Sequence, residues 1–292
     1  MDRRQAWIGA ARTRTLPAAV APVLVGSGLA AGDGSFRLDA LVAALIGAVA
    51  IQVAANFAND ASDAERGADT PDRIGPQRMV ATGVIESRHM WTAVVIALAV
   101  ATAMGAWLVA IAGLWIVVIG LVSILAMLTY VGGPLPYGYR GLGEVMVFVF
   151  FGLVATVGTR FAHGGGVSAD DWLAGVAMGA LAAGILVANN LRDLATDAAA
   201  GKRTLAVMLG DARTRVLYSA VVVGPFALVV GAAAIGVLPM PSLVVVMAAP
   251  LAVRLVVSVH RAAGPADLIP VLGGTARLQL AVGVLLAVSV AV

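Results

Sequence analysis

Two polar segments of the sequence, "NFANDASD" and "NNLRDLATD", repeat asparagines and aspartates at intervals of four residues. Residues four apart lie on the same face of a helix. The repeats are Asn56 with Asp60, Asn59 with Asp63, and Asn189 with Asp193 and Asp197. Carboxylates stacked in this way repel one another by roughly a few tenths of a kcal/mol per pair. A Mg²⁺ ion between them removes that repulsion, and it binds through one or two carboxylates together with substrate phosphates.

Basic residues follow each acidic segment. Arg66, Arg73 and Arg78 come after the first segment, and Lys202 and Arg203 come after the second. Carboxylates that hold Mg²⁺, with arginine and lysine side chains nearby, form an anion clamp for a diphosphate group. Two other interpretations stay open at this point. Either acidic segment alone is typical of a solvated helix face, and the charges together could form a surface salt-bridge network.

A diphosphate clamp has a direct use in group-transfer chemistry. Diphosphate is a good leaving group once its charge is neutralised, and metal ions and basic side chains neutralise it as it departs. If the attached chain is an allylic isoprenoid, its departure leaves a resonance-stabilised carbocation. The sequence therefore favours a site that holds the diphosphate head of a lipid and leaves the tail in an apolar interior.

The elements that position these residues are predicted to be membrane-spanning helices. The chain of 292 residues is 61% hydrophobic and 12% charged, whereas about a quarter of the residues in soluble domains are charged. Its apolar runs approach the roughly 20 residues with which a helix crosses the hydrocarbon core and satisfies its own backbone. The sequence predicts an all-α polytopic membrane protein with nine transmembrane helices, at residues 16–32, 38–58, 90–111, 114–131, 142–160, 172–191, 215–236, 239–258 and 276–292.

The distribution of basic residues predicts the orientation of these helices. All but two of the 19 lysine and arginine residues fall on one side of the nine-helix arrangement, and the exceptions are Arg37 and Arg160. The positive-inside rule then places the N-terminus and both acidic segments in the cytoplasm. Because the basic residues flank apolar helices, anchoring in the lipid bilayer explains the net charge of +3 better than binding to nucleic acid does.

The chain is predicted to form a single domain over residues 1–292. The acidic segments follow the second and the sixth predicted helices, which suggests a pseudo-repeat of four-helix units, helices 1–4 and 5–8, with a ninth helix added. The first apolar run could also be a cleaved signal peptide. Four arginines before this run and eight further runs after it favour a retained helix.

Five stretches of the sequence carry a family resemblance: "RTRTLPAAVAPVLVG", "NDASDAERGADTPDRIGPQR", "YVGGPLPYGYRGLGE", "NNLRDLATDAAAGKRTLAV" and "TARLQLAVGVLL". Together they resemble the UbiA superfamily of intramembrane prenyltransferases, and within it the branch that acts on 1,4-dihydroxy-2-naphthoate. The resemblance implies helices around a central cavity and two Asp-rich motifs that bind Mg²⁺ and prenyl diphosphate. The superfamily pattern N-D-x-x-D-x-x-x-D has an aspartate where this sequence has Gly67, a departure that looks like the naphthoate branch.

The resemblance also implies roles for individual residues. The metal-binding residues would be Asp60, Asp63, Asp193 and Asp197. The amides that support them would be Asn59 and Asn190. The diphosphate would be held by Arg66, Lys202 and Arg203, with Arg73 and Arg78 as further candidates.

Four other residues are candidates for the acceptor or carbocation side of the site. Tyr130, Tyr137 and Tyr139 flank "VGGPLP" and could stabilise a cation by their π-faces or orient the acceptor. The same tyrosines are also typical of an interfacial aromatic belt. Glu144 could contribute to the site, or it could be a carboxylate at the start of a helix.

The family chemistry implies a Mg²⁺-dependent transfer of a polyprenyl group from polyprenyl diphosphate to 1,4-dihydroxy-2-naphthoate, with loss of CO₂, giving demethylmenaquinone in a bacterial cytoplasmic membrane. The same chemistry on 4-hydroxybenzoate or homogentisate is the nearest alternative. A Mg²⁺-binding transporter is a more distant one, because ionisable residues gather at one face instead of forming a continuous path. An electron-rich ring needs little beyond positioning, so no nucleophilic triad is expected.

Overall fold

The computed structural model of the protein describes residues 2–67, 75, 77–132 and 136–292, and of Val131 only the backbone. Within these ranges the chain forms helices, turns and short links, and it contains no β-strand. The predicted all-α class is therefore confirmed for the part of the chain that is described.

The described chain contains thirteen α-helices. They are α1 (Arg3–Ala11), α2 (Pro17–Gly32), α3 (Leu38–Glu65), α4 (Ser87–Ala112), α5 (Trp115–Val131), α6 (Gly143–Phe148), α7 (Ala155–Ala162), α8 (Ala169–Arg192), α9 (Leu194–Ala199), α10 (Leu205–Leu209), α11 (Asp211–Ala234), α12 (Ala249–Arg261) and α13 (Ile269–Val290). A π-helical segment, Val149–Val154, joins α6 to α7. The 3₁₀ segments are Thr13–Thr15, Tyr137–Arg140, Met240–Ala248 and Pro265–Leu268.

Seven helical segments of the described residues are long and apolar enough to cross a membrane, the longest of them α3. Arg3–Thr15 and Pro17–Gly32 pass the same test together but are bent by 49° at their junction. The apolar part of α5, Trp115–Tyr130, is shorter. The protein is thus a multi-pass membrane protein, while the number nine and the cytoplasmic N-terminus stay predictions.

Two helix bounds differ from those predicted by more than four residues. α3 continues to Glu65 and does not end at residue 58, so the first acidic segment forms the last turns of this helix, as its four-residue spacing indicated. The last helical segment begins at Pro265 and not at residue 276. Thr275, the polar residue just before the predicted start, is accommodated inside the helix because its hydroxyl lies 2.7 Å from that of Tyr218 on a neighbouring helix.

Small residues bring α2 and α13 into backbone contact. A Cβ on Gly283 would lie 2.8 Å from the Cβ of Ala21, and one on Gly28 would lie 2.7 Å from the Cα of Ala287. Close approach of this kind stabilises helix pairs in lipid, where apolar packing against the solvent gives no net advantage. These contacts fix the position of α2 against α13, and with it one wall of the site described below.

The buried apolar residues form two main clusters. One joins α2, α8, α11, α12 and α13 and includes Met178, Leu181 and Leu286. The other joins α1, α3 and α4 with the residues before α4 and includes Phe57, Met79 and Met90. α3 packs along α4, and α8 packs along α11. The cavity described below lies in the interior between these helices.

The α2–α13 contact gives a test of the packing. Gly283→Val should lower the melting temperature of the detergent-solubilised protein, because overpacking a tight contact costs about 1–3 kcal/mol. Gly231→Val is the matched control, since a Cβ on that α11 glycine would meet nothing within 4 Å. Equal melting temperatures for the two variants would contradict the packing described here.

Candidate functional site

A cavity of about 410 Å³ lies inside the bundle. Along most of its length the wall is apolar and comes from α3, α4, α5, the π-helical segment and α8, with residues such as Met104, Ile119 and Phe150. The polar wall residues gather where α3 and α8 end. This group includes Asn59, Asp63, Arg78, Asn189, Asn190, Asp193, Asp197 and Lys202. The two acidic segments therefore meet at one end of one apolar cavity.

Asp63 is the most enclosed carboxylate on the cavity wall, with 2% of its surface exposed. Arg78 Nη2 donates to its Oδ2 at 2.5 Å, and the Tyr139 hydroxyl donates to its Oδ1. Lys202 Nζ lies 3.8 Å from the same Oδ1. A carboxylate this buried keeps its charge only with such partners, so Asp63 is held as an anion by a guanidinium, a phenol and an ammonium group.

The second acidic segment forms around the end of α8. The helix ends at Arg192, whose Nε and Nη2 donate to the two oxygens of Asp193 at 2.7 and 2.6 Å. Asp193 leaves ideal helical geometry, yet its amide still donates to the Asn189 carbonyl and the Asp197 amide to the Asp193 carbonyl. The four-residue spacing predicted from the sequence is therefore kept across the break, and Asn189, Asp193 and Asp197 all line the cavity.

Lys202 joins the two segments. Its ammonium nitrogen lies 3.9 Å from Asp197 Oδ1, 3.8 Å from Asp63 Oδ1 and 4.7 Å from the centre of the Tyr139 ring. The Lys202 amide donates to the Asp197 carbonyl at 2.9 Å, which fixes where the side chain starts. One cation, in the turn after α9, therefore connects Asp63 on α3 with Asp197 on α9.

The tyrosine beside this cation stays protonated. Burial raises the pKa of the Tyr139 phenol well above its ordinary value, and the negative charge of Asp63 raises it further, while Arg66 and Arg78 act in the opposite direction. The phenol therefore donates a hydrogen bond to Asp63 over the whole physiological pH range.

Other predicted residues support this centre. Asn190 Nδ2 donates to Glu144 Oε1 at 2.8 Å, and Glu144 is buried outside the cavity wall. Tyr130 and Tyr137 line the cavity with their rings edge to face, 5.4 Å apart. The Tyr137 hydroxyl donates to the Ala126 carbonyl at 2.8 Å. These contacts place the rings of Tyr130 and Tyr137 on the cavity wall, near its polar end.

Besides Glu144, three predicted residues of the described chain are not on the cavity wall. Asp60 is buried, but its carboxylate accepts hydrogen bonds from the amides of Met79 and Val80. Arg66 and Arg203 are exposed beyond the helix ends. Arg73 lies outside the described residues.

Sequence reasoning missed some polar residues of the site. Arg192 was not assigned a role, although it directly precedes Asp193 in the sequence. Arg12, Thr15 and Gln52 also line the cavity, and Gln52 Nε2 donates to Thr15 Oγ1 at 3.1 Å. Gln52 continues the four-residue spacing of Asn56 and Asp60, a signal that could have found it. For Arg12 the sequence gives no such signal apart from its charge.

The donors present fit a Mg²⁺ ion that shares its coordination with water and phosphate. Asn59 Oδ1 is buried and accepts no hydrogen bond within the described chain, and Asn59, Asp63 and Asp197 all line the cavity. No three His, Asp or Glu side chains of the described residues form a closed metal cluster. Mg²⁺ suits such an open set of oxygen donors because it keeps several waters and takes phosphate oxygens as ligands.

The fold and the charged end of the cavity define a helical membrane protein built to hold an anionic head and an apolar tail. The model of the UbiA prenyltransferase family matches residues 19–268. The chain belongs to the UbiA prenyltransferase family, which confirms the resemblance seen in the sequence.

Relatives and solved structures agree with this membership. The chain is 43% identical over 280 residues to a 1,4-dihydroxy-2-naphthoate octaprenyltransferase of Mycobacterium tuberculosis, covering 94% of this chain and 92% of the relative. It is 40% identical over 232 residues to the Escherichia coli protein of that name, covering 77% and 75%. The fold matches an apo UbiA homolog of Aeropyrum pernix at a TM-score of 0.73 and 16% identity, covering 91% and 95% of the chains. It matches an Archaeoglobus fulgidus homolog bound to GPP and Mg²⁺ at 0.68 and 16%, covering 97% and 99%.

The contact between Arg192 and Asp193 gives a test of the site geometry. Arg192→Gln should lower the melting temperature strongly, because removing one partner of a buried ion pair costs about 3–5 kcal/mol. Arg213→Gln is the control, since Arg213 is exposed on α11. The pairing described here would be refuted by an Arg192→Gln protein as stable as the Arg213→Gln protein.

Proposed function

We propose that the protein transfers a polyprenyl group from polyprenyl diphosphate to 1,4-dihydroxy-2-naphthoate, with release of CO₂ and diphosphate. Family membership supports prenyl transfer, and relatives 43% and 40% identical bear the name 1,4-dihydroxy-2-naphthoate octaprenyltransferase. The observation that carries the proposal is the position of Lys202 between Asp63 and Asp197 at the end of an apolar cavity.

The polar end of the cavity would hold the diphosphate. Asp63, Asp193 and Asp197 with Asn59 would hold Mg²⁺, which would supply neutralising charge for the departing diphosphate. Lys202 and Arg78 would bind the oxygens that the ion leaves free. Both cations are already in place beside Asp63, at 3.8 and 2.5 Å, so little reorganisation precedes the reaction.

The apolar wall would hold the polyprenyl tail and exclude water from the allylic cation. The rings of Tyr130, Tyr137 and Tyr139 lie on the cavity wall, where their π-faces would stabilise the cation. The acceptor's ring carbon that bears the carboxylate attacks the cation. The bond to the carboxylate then breaks and its electron pair restores the aromatic ring. The product is the quinol form of demethylmenaquinone, and no oxidant or general base is required.

We further propose that the diphosphate enters from the cytoplasmic side of a bacterial cytoplasmic membrane. The polar end lies where α3 and α8 end, on the side of the predicted arrangement that carries all but two of the 19 lysine and arginine residues. The positive-inside rule assigns such segments to the cytoplasm. The tail would then extend from the inner rim into the bundle.

The acceptor is tested directly. Purified protein with Mg²⁺ and a polyprenyl diphosphate should prenylate 1,4-dihydroxy-2-naphthoate and release one CO₂ per product. A panel containing 4-hydroxybenzoate and homogentisate is run in parallel with mass spectrometric detection. Preference for either of these would overturn the acceptor assignment, and absence of transfer to every acceptor would overturn the enzyme assignment.

The metal and diphosphate roles are tested by neutral substitutions. Asp63→Asn and Asp197→Asn should each lower kcat by about 10²-fold or more, because each removes electrostatic stabilisation of the leaving group. EDTA should abolish turnover of the wild type, and Mg²⁺ should restore it. Glu86→Gln removes an exposed carboxylate paired with Arg88 and should leave turnover unchanged. Wild-type kcat in Asp63→Asn would show that the cavity end is not the reaction centre.

A further inference from the structure

Asp60 is a buried carboxylate of the first acidic segment that does not line the cavity. It has 1% of its surface exposed and lies on α3 between two residues that do line the cavity, Asn59 and Asp63. Its Oδ2 accepts the amide of Met79 at 3.1 Å, and its Oδ1 accepts the amide of Val80 at 3.0 Å. Both oxygens are therefore used to hold the chain segment that precedes α4.

The segment that Asp60 holds also carries a cation of the site. Arg78 directly precedes Met79, has 6% of its surface exposed and lines the cavity. Its Nη2 donates to Asp63 Oδ2 at 2.5 Å. Two aspartates three residues apart on α3 thus hold the same short segment. Asp60 binds the backbone amides of the segment, and Asp63 binds its arginine side chain.

Packing fixes this arrangement from the other side. The Met79 side chain is 4% exposed and belongs to the apolar cluster of Phe57 and Met90. The Met79 carbonyl accepts the amide of Ile85 at 3.0 Å, which closes the turn before α4. A carboxylate that left the two amides to reach the cavity would leave buried donors without an acceptor, which is unfavourable.

We propose that Asp60 is a positioning residue that sets Arg78 against the diphosphate, and that it is not a metal ligand. The proposal rests on the proposed function, because it assumes that the polar end of the cavity binds a diphosphate. It assigns the two neighbouring aspartates of α3 different tasks: Asp63 faces the reacting group, and Asp60 fixes the segment that brings a cation to Asp63.

Asp60→Asn tests the assignment, because the amide keeps one acceptor and nearly the same shape. The expected result is a rise of ~10-fold in the KM for prenyl diphosphate, since one of two hydrogen bonds to a charged acceptor is lost and Arg78 becomes less well placed. The Mg²⁺ concentration for half-maximal activity should change by less than about twofold, because no donor to the ion is removed.

Coupling to Arg78 separates positioning from a general structural effect. In the double variant Asp60→Asn/Arg78→Gln, KM should be no higher than in Arg78→Gln alone, because the arginine to be positioned is gone. Glu65→Gln is the matched control: Glu65 also lies on α3 and accepts hydrogen bonds from residues further along the chain, Ser87 and Trp91, but these belong to α4 and not to the segment that carries Arg78. It should leave both KM and the Mg²⁺ requirement unchanged.

Two results would overturn the proposal. One is an increase of ~10-fold or more in the Mg²⁺ requirement of Asp60→Asn, which would identify a metal ligand. The other is an increase in KM on Asp60→Asn that adds fully, in the double variant, to the increase caused by Arg78→Gln. Val80→Pro, which removes one donor amide and keeps the carboxylate, is the second variant should Asp60→Asn fail to fold, and an unchanged KM in it would also count against the proposal.

A binding measurement keeps this test separate from the proposed reaction. Titration of the same variants with an unreactive prenyl thiodiphosphate in the presence of Mg²⁺ reports diphosphate affinity without turnover. The positioning role is supported if Asp60→Asn binds the thiodiphosphate more weakly than the wild type while the double variant binds it as well as Arg78→Gln does. This result would hold even if the aromatic acceptor were wrongly assigned. Wild-type protein that does not bind the thiodiphosphate would overturn both the proposed function and the role of Asp60.

Discussion

The rest of the structure depends on the balance of charge where α3 and α8 end. Asp63 and Asp197 lie on either side of Lys202, and Arg192 binds both oxygens of Asp193. A carboxylate at membrane depth costs about 2.5–3.5 kcal/mol on insertion scales, so the two helix ends can meet only if cations lie between them. A ligand that carries several negative charges fits there because those cations are already in place.

The apolar part of the bundle strengthens this balance. Glycines hold α2 and α13 in backbone contact, and the π-helical segment brings Phe150 and Phe151 to the cavity wall. A π-helical segment inside a longer helix is common at functional sites, because it changes which side chains face inward. Because most of the cavity wall is apolar, each charge at its polar end acts through a low dielectric. The same wall that accommodates an apolar tail therefore increases the effect of Lys202 on an anion.

Much of this arrangement follows from patterns in the sequence, and the rest depends on contacts between distant segments. Apolar run lengths predicted the helical class, and the four-residue spacing predicted the stripe that ends in Asp193 and Asp197. The start of the last helical segment was predicted wrongly, and the partner that buries Thr275 within the helix, Tyr218, lies on the distant α11. The bidentate contact of Arg192 with Asp193 could not be predicted from the sequence, because adjacent residues on a regular helix do not face each other.

The different environments of Asp60 and Asp63 follow from helix geometry. Residues three apart on an α-helix differ by about 60° in direction, since one turn takes 3.6 residues. That angle is enough to leave Asp63 on the cavity wall and to turn Asp60 under the segment that precedes α4. A motif with aspartates at this spacing can therefore combine binding and loop anchoring within one turn. Spacing alone does not separate the two tasks, because the difference is made by Met79 and Val80, nearly twenty residues further along the chain.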